Sequence, residues 1–244
     1  MKKGLFNLIN SLIGKAISKY NLIQGGDRII VAVSGGKDSM TLLWFLKERL
    51  KWIPVSYELF ALHIDLGFEK EDGNIQKIES FFKEIGVDYK IIKTEIGPKS
   101  IEFSKKSGQS TCFFCSRKRK RIIFEIADEI GFNKIAYGHH RDDVIETLLM
   151  NLFYGASVST MLPSQEFFDG RFKIIRPLYL VDESLISRFF KSMNWPEIKD
   201  SCPFSSNSKR KEVREIIQRL YSSNKKVKAN IFHAIHNVRG DYLP

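Results

Sequence analysis

No stretch of this 244-residue chain approaches the ~18 to 20 uninterrupted apolar residues that a membrane span needs. The opening "MKKGLFNLINSLIGKAISKY" carries a lysine pair and apolar residues, but Asn7, Asn10 and Ser11 interrupt the run, and no small-residue cleavage site follows. Leu5, Leu8 or Ile9, Leu12, Ala16 and Tyr20 recur at helical spacing instead, which predicts an amphipathic helix within residues 1–24 docked on the domain, and a cytoplasmic protein. Cysteine is scarce: three residues, an odd number that argues against a simple disulfide framework. Acidic residues are short as well, 28 against 39 Lys and Arg, and the net charge of +11 points to a polyanionic partner. There is no internal repeat and no low-complexity tract. With 43% hydrophobic and 27% charged residues the composition is that of a globular protein with a real core.

Two familiar nucleotide loops are also missing. A Walker loop needs Gly at 31 and Ser or Thr at 38, where this chain has Val31 and Asp38. No G-x-G-x-x-G follows the first strand, which removes the Rossmann fingerprint. What stands there is "RIIVAVSGGKDSMTLLWFLKERL" (28–50). Ile29 to Val33 suit a strand buried on both faces. Ser34, Gly35 and Gly36 allow a tight turn that brings backbone N–H groups close to a ligand. Asp38 and Ser39 sit where a helix begins, and Leu42, Leu43, Phe45, Leu46 and Leu50 supply its apolar face. Free N–H groups beside Lys37 make an anion site, and phosphate is the anion they suit. An ordinary strand-to-helix turn shares this chemistry.

Strand and helix alternate beyond it. Residues 57–65 and 87–94 read as strands, 74–86 as a helix ended by Gly86, and 97–111 as a loop. Residues 117–131 read as a helix closed by Gly131, "NKIAYG" as a short strand, "DDVIETLLMNLFYG" as a helix and "FKIIRPL" as a last strand. Asp182 offers an N-cap to the helix after it. This predicts an α/β fold, a parallel sheet with helices on both faces over residues 25–200, followed by a basic helical extension over 201–244. Ligands in such sheets bind beyond the strands' carboxyl ends. Ser34–Ser39 and the residues after "ALHID" and "IAYG" then share one edge.

The cysteines form "CFFC" (Cys112, Cys115) with Cys202 far downstream. Buried or redox-active thiols fit this pattern. So does a Cys₃His zinc site borrowing His63, His139, His140, His233 or His236, or an iron–sulfur cluster on three thiolates. Spacing does not choose between zinc and iron. The run "RKRKR" (117–121) places Arg117 and Arg121 on one helix face, where Arg117 and its neighbours would offset thiolate charge. Lys209, Arg210, Lys211, Arg214, Arg219, Lys225, Lys226 and Lys228 face only Glu212 and Glu215. A solvated helix face accounts for such runs; nucleic acid is the sharper reading.

"SGGKDS", "CFFCSRKRKR", "YGHHRDD", "IRPL" and Cys202, in that order, resemble the PP-loop ATP pyrophosphatase superfamily, and within it the tRNA 2-thiocytidine synthetases. The resemblance runs from about residue 25 to the C-terminus. It implies the N-type ATP pyrophosphatase (adenine nucleotide alpha hydrolase-like) fold, a homodimer, and tRNA, ATP and a sulfur donor as partners. It implies that Ser34, Gly35, Gly36, Lys37, Asp38 and Ser39 cradle ATP phosphates with Mg²⁺ nearby, and that His63, Gly138 and His139 join the nucleotide site. Lys37, Asp38, Asp142 and Asp143 would carry the chemistry, although Asp142 and Asp143 equally suit helix N-terminal charges. Cys112, Cys115 and Cys202 fall where the family holds a four-iron four-sulfur cluster. The implied reaction adenylates the C2 oxygen of an anticodon-loop cytidine and replaces it with sulfur delivered through that cluster. The residues after Cys202 depart from an easy alignment. Other readings are a lysidine- or 2-thiouridine-type enzyme of the superfamily, or a zinc-stabilised RNA-binding module without catalysis. The first needs no cysteine trio, and the second usually carries further C-x-x-C pairs that three cysteines cannot supply.

Overall fold

A computed structural model describes residues 3–68, 73–198, 202–204 and 209–242. The first helix, α1 (Lys3–Lys19), buries Leu5, Ile9, Ile13 and Ala16 along one stripe. It is followed by β1 (Arg28–Ala32), α2 (Lys37–Arg49), β2 (Glu58–Asp65), α3 (Asn74–Ile85), β3 (Asp88–Lys93) and α4 (Ile96–Ser107). Then come α5 (Thr111–Glu129), β4 (Lys134–Ala136), α6 (Arg141–Tyr154), β5 (Ser164–Phe167), β6 (Phe172–Ile175) and α7 (Glu183–Ser192). Helices α8 (Lys209–Ser223) and α9 (Val227–Ile235) complete the series.

The sheet runs β3-β2-β1-β4-β6-β5. All neighbours pair in parallel except β5, which lies antiparallel to β6. The order turns back between β1 and β4, so their carboxyl ends open a crevice there. Side chains alternate across the sheet, and the two faces build two cores. Ile29, Val31 and Ala136 pack with α1, α2, α3 and α7. Ile30, Ile135 and Ile174 pack with α4 and α5. A third cluster joins Val144 and Ile145 of α6 to Val213, Ile217 and Phe232 of α8 and α9. Among the described residues no helix is long and apolar enough to cross a membrane.

Four local expectations need correction. The segment 97–111 is no loop: α4 occupies Ile96–Ser107. Its pattern is weak because Gly97 and Pro98 fall in the first turn, where proline costs little. A Cβ at Gly97 would meet the Phe68 ring at 2.6 Å, so that ring packs against the bare glycine. Stacking of Phe103 on Phe114 at 4.3 Å fixes the helix to α5. Second, α5 starts at Thr111 rather than Arg117, so "CFFC" forms its first turns. Third, β6 ends at Ile175, before Arg176 and Pro177, and it has an edge partner, β5, that "SQEF" is too short and polar to announce. Fourth, Asp182 occupies the N-cap of α7 but makes no capping hydrogen bond; its carboxylate pairs with Arg141. The boundary expected at residues 200–201 lies outside the described residues.

Candidate active site

The loop after β1 is tied by its own serines. Ser34 N–H donates to Ser39 Oγ at 3.1 Å, and Gly36 N–H donates to Ser34 Oγ at 3.3 Å. Ser39 Oγ–H donates to Gly36 O at 2.9 Å. Gly35 has φ +89°, a left-handed conformation, and a Cβ there would meet Ile198 at 2.9 Å. The loop opens into the N-terminus of α2, whose first N–H groups lack helical partners. Gly138, just after β4, packs straight onto this turn: a Cβ would lie 2.8 Å from Ser39 N. The β1 and β4 loops therefore touch backbone to backbone at the switch point.

Charge is arranged around the loop. Burial pushes the Asp38 carboxyl up, against His140 and Lys37, which pull it down. Its Oδ1 is buried and accepts no hydrogen bond, although the Lys37 ammonium stands 3.0 Å from it and donates to Oδ2 at 3.1 Å. A buried carboxylate oxygen without a hydrogen bond, beside the Ser34–Ser39 loop, suits a divalent cation. Lys37 Nζ also reaches Glu183 Oε1 at 2.9 Å. Burial alone would lower the Lys37 pKa, but the two carboxylates leave it raised, so it stays an ammonium.

At α6, His140 Nδ1 accepts from Asp143 N–H while the Asp143 carboxylate accepts from His140 N–H at 3.0 Å, a reciprocal cap. Asp142 turns elsewhere. Its Oδ2 accepts from Glu183 N–H at 2.8 Å and its Oδ1 meets Lys228 Nζ at 2.6 Å. His63 Nδ1 lies 2.8 Å from Val33 O, and a carbonyl only accepts, so Nδ1 carries the ring proton. Burial lowers the His63 pKa, which keeps the imidazole neutral with Nε2 as acceptor.

The three cysteines face the same space. Cys112 and Cys115 sit in the first turns of α5, three residues apart and so on one helix face, beside its positive dipole end. Burial pushes both thiols up; neighbouring Cys202 adds to each, and Arg119 pulls Cys115 down. Arg119, one turn beyond Cys115, lines the cavity, whereas Arg117 is exposed. Among Arg117 and its neighbours, from which the charge offset is expected, it is Arg119 that acts on Cys115. Lys120 packs over the Phe167 ring at 3.7 Å, and Arg121 pairs with Glu125 at 2.7 Å.

One cavity of about 600 Å³ collects these parts. Ser34, Gly35, Gly36, Asp38, Ser39, His63, Cys112, Cys115, Gly138, His139, Asp143 and Cys202 all line it; Lys37 and Asp142 do not. The first turns of α2, α5 and α6 all contribute to its wall, three positive helix ends around one space. Sequence reasoning missed Asp65 and Tyr137 in the wall and Glu183 behind it. Among the described residues no three metal-type donors close around a single-ion site. Three cysteines opening onto one roomy cavity suit an iron–sulfur cluster held on three thiolates.

A parallel α/β sheet with a serine–glycine anion loop at its switch point, sharing its cavity with a cysteine trio, defines a nucleotide-using enzyme with a cysteine-lined chamber. The chain belongs to the PP-loop family: the model of the PP-loop domain matches residues 8–220. A tRNA-cytidine(32) 2-sulfurtransferase of Methylobacillus flagellatus is 39% identical over 98% of this chain and 78% of its own length. One of Syntrophotalea carbinolica is 36% identical over 98% and 92%. Among solved structures, the U34-tRNA thiolase NcsA from Methanococcus maripaludis with its [4Fe-4S] cluster superimposes with a TM-score of 0.80 at 25% identity, over 97% of this chain and 80% of that one. An NH₃-dependent NAD synthetase from Campylobacter jejuni (TM-score 0.52, 16% identity, 95% and 92% covered) shares the fold alone.

Proposed function

We propose that the protein is an ATP-dependent tRNA-cytidine 2-sulfurtransferase acting at cytidine 32, with Mg²⁺ and a four-iron four-sulfur cluster as cofactors. The observation that carries this is the shared cavity, in which the phosphate loop and all three cysteines open onto one space. The relatives at 36–39% identity are named for cytidine, and the thiolase named for uridine is more distant at 25%.

The chemistry follows from the wall. The N–H groups of Ser34–Ser39 grip the β- and γ-phosphates, and Asp38 Oδ1 would hold the Mg²⁺ that neutralises them. The C2 oxygen of cytosine attacks the α-phosphorus, the bond to the β-phosphate oxygen breaks, and pyrophosphate leaves. Adenylation turns a poor leaving group into AMP, which a sulfur nucleophile then displaces at C2. When bound to Cys112, Cys115 and Cys202, the cluster would supply an iron with an open coordination position for sulfur. Lys37 steadies charge on departing pyrophosphate once drawn from Glu183, and Asp143 holds the α6 terminus against the loop. Asp142 acts from behind, through Glu183 and Lys228. A small sulfur source such as sulfide or a persulfide suits a chamber of this size. The enzyme works in the cytoplasm, where its tRNA is, as a homodimer.

Mass spectrometry of tRNA nucleosides from cells with and without the gene tests the reaction: 2-thiocytidine should vanish without it. Loss of 2-thiouridine instead would move the assignment to the uridine branch. Alanine at Cys112, Cys115 or Cys202 should each remove the brown colour of anaerobically purified protein and abolish thiolation while ATP still binds. Stoichiometric zinc without acid-labile sulfide in the native protein would refute the cluster.

A further inference from the structure

Arg176, from "IRPL", is 8% exposed and lies outside the mechanism above. Its place follows from strand register. Ala136 of β4 pairs with Ile175 of β6, and Tyr137 N–H donates to Ile175 O at 3.0 Å. The residues that follow, Tyr137 to His139 on one strand and Arg176 on the other, emerge side by side at the carboxyl edge. Arg176 Nε donates to His139 Nδ1 at 3.3 Å, and its Nη1 donates to Leu162 O. Tyr137 stacks on the His139 ring, centroids 5.5 Å apart and planes within 20°. One face and one edge of the imidazole are thus clamped.

A guanidinium has donors only, so the His139 nitrogen it meets must offer its lone pair. We propose that Arg176 is a positioning residue that fixes His139 as the Nε2–H tautomer, making it an uncharged hydrogen-bond donor to a phosphoryl oxygen of the bound nucleotide rather than a general base. His139 lines the cavity, and with Nδ1 engaged at the rear, Nε2–H is the polar group the ring offers there. His63 is pinned the other way by Val33 O and offers an acceptor. The cavity therefore carries two imidazoles of opposite polarity.

The surroundings agree. Burial foremost holds the His139 pKa down, to about 4. Asp143 pulls it up, and Arg176, Arg210 and His140 push it down further. The ring is therefore neutral at physiological pH. The reaction proposed above asks for such a group, and this inference rests on that reading. The C2 oxygen of cytosine bears no proton, so its attack on phosphorus needs no base. It needs donors where negative charge gathers on the phosphoryl oxygens.

Direct ¹⁵N NMR detection on the anaerobically purified, histidine-labelled full chain reads the tautomer without substrate. It decides the point whether or not thiolation is seen. His139 should show a protonated Nε2 and a bare Nδ1 from pH 6 to 8, and Arg176→Met should give a tautomer mixture and a raised pKa. In tRNA-dependent AMP formation, His139→Leu should lower kcat about 10²-fold or more with KM for ATP little changed. His139→Gln, which keeps an N–H at similar reach, should restore much of the loss. A protonated Nδ1 or an imidazolium in the native protein at pH 7 would overturn the proposal, as would a native kcat in His139→Leu.

Discussion

Gly138 and His139 are adjacent in the chain, yet each is constrained by a different loop. A methyl group on Gly138 would press on Ser39 N at 2.8 Å, and backbone cannot swing aside as a side chain can. Gly138→Ala should therefore cost about 1–3 kcal/mol, the usual scale of overpacking, and weaken ATP binding along with it. Urea denaturation and nucleotide titration measure the two effects, and native values for both would show that the loops are not in contact. His139 gives a pH signature with a definite sign. Its folded pKa is about 4 and an unfolded histidine titrates near 6.5. Between these values the unfolded chain binds more protons. Stability should fall as pH drops from ~6.5 towards 4 and receive no further loss from this group below that. Unfolding of native protein and His139→Gln at several pH values isolates the contribution, since the glutamine variant should lack this part of the acid sensitivity.

The C-terminal helices do more than carry charge. Arg214 of α8 makes two hydrogen bonds to Glu146 of α6, at 2.8 and 3.1 Å, and the Glu146 side chain is 3% exposed. Arg210 stands 3.7 Å from the same carboxylate, and Lys228 of α9 holds Asp142. These contacts close around Val213, Ile217 and Phe232, so α8 and α9 are docked by both apolar area and ion pairs. Removing Arg214 strands a buried carboxylate, and Arg210 compensates only in part. Arg214→Met should destabilise the protein by about 2 kcal/mol, and Glu146→Gln in the same chain should recover part of it. A double-mutant cycle by chemical denaturation checks this; strict additivity would mean that the pair is not coupled.

Across the molecule the surplus of +11 is spent in two ways. Arg119, Arg210, Arg214 and Lys228 turn inward, towards thiols or carboxylates. Lys209 and Lys211 remain at the start of α8, with Lys209 over the Tyr154 ring at 4.6 Å. This separation sharpens the expectation for tRNA. If Lys209 and Lys211 neutralise phosphates, replacing both should flatten the log–log salt dependence of tRNA binding by about 1.4, using ~0.7 per phosphate, with ATP affinity unchanged. Arg210 belongs to the Asp143–Glu146 network, so its loss should disturb the site rather than the slope. Identical slopes for the native and doubly substituted proteins would take the start of α8 out of the tRNA surface.

Local chemistry made much of this readable from the chain. A β-branched run before Ser-Gly-Gly, a helix face after it, and the alternation of strand and helix all depend on neighbours in sequence, so the anion loop and the parallel sheet were legible. The cysteine pair was visible too, but not its place at a helix start, because Phe103 and Phe114 stabilise α4 and α5 only by meeting each other. Partner choice among charges was hidden for the same reason. Lys228 and Asp142 are 86 residues apart, Arg176 and His139 37, and the β4–β6 register and helix docking alone bring them together. Residue order set which groups were available; packing of distant segments decided which carboxylate Lys228 and Arg214 meet and which nitrogen of His63 carries the proton.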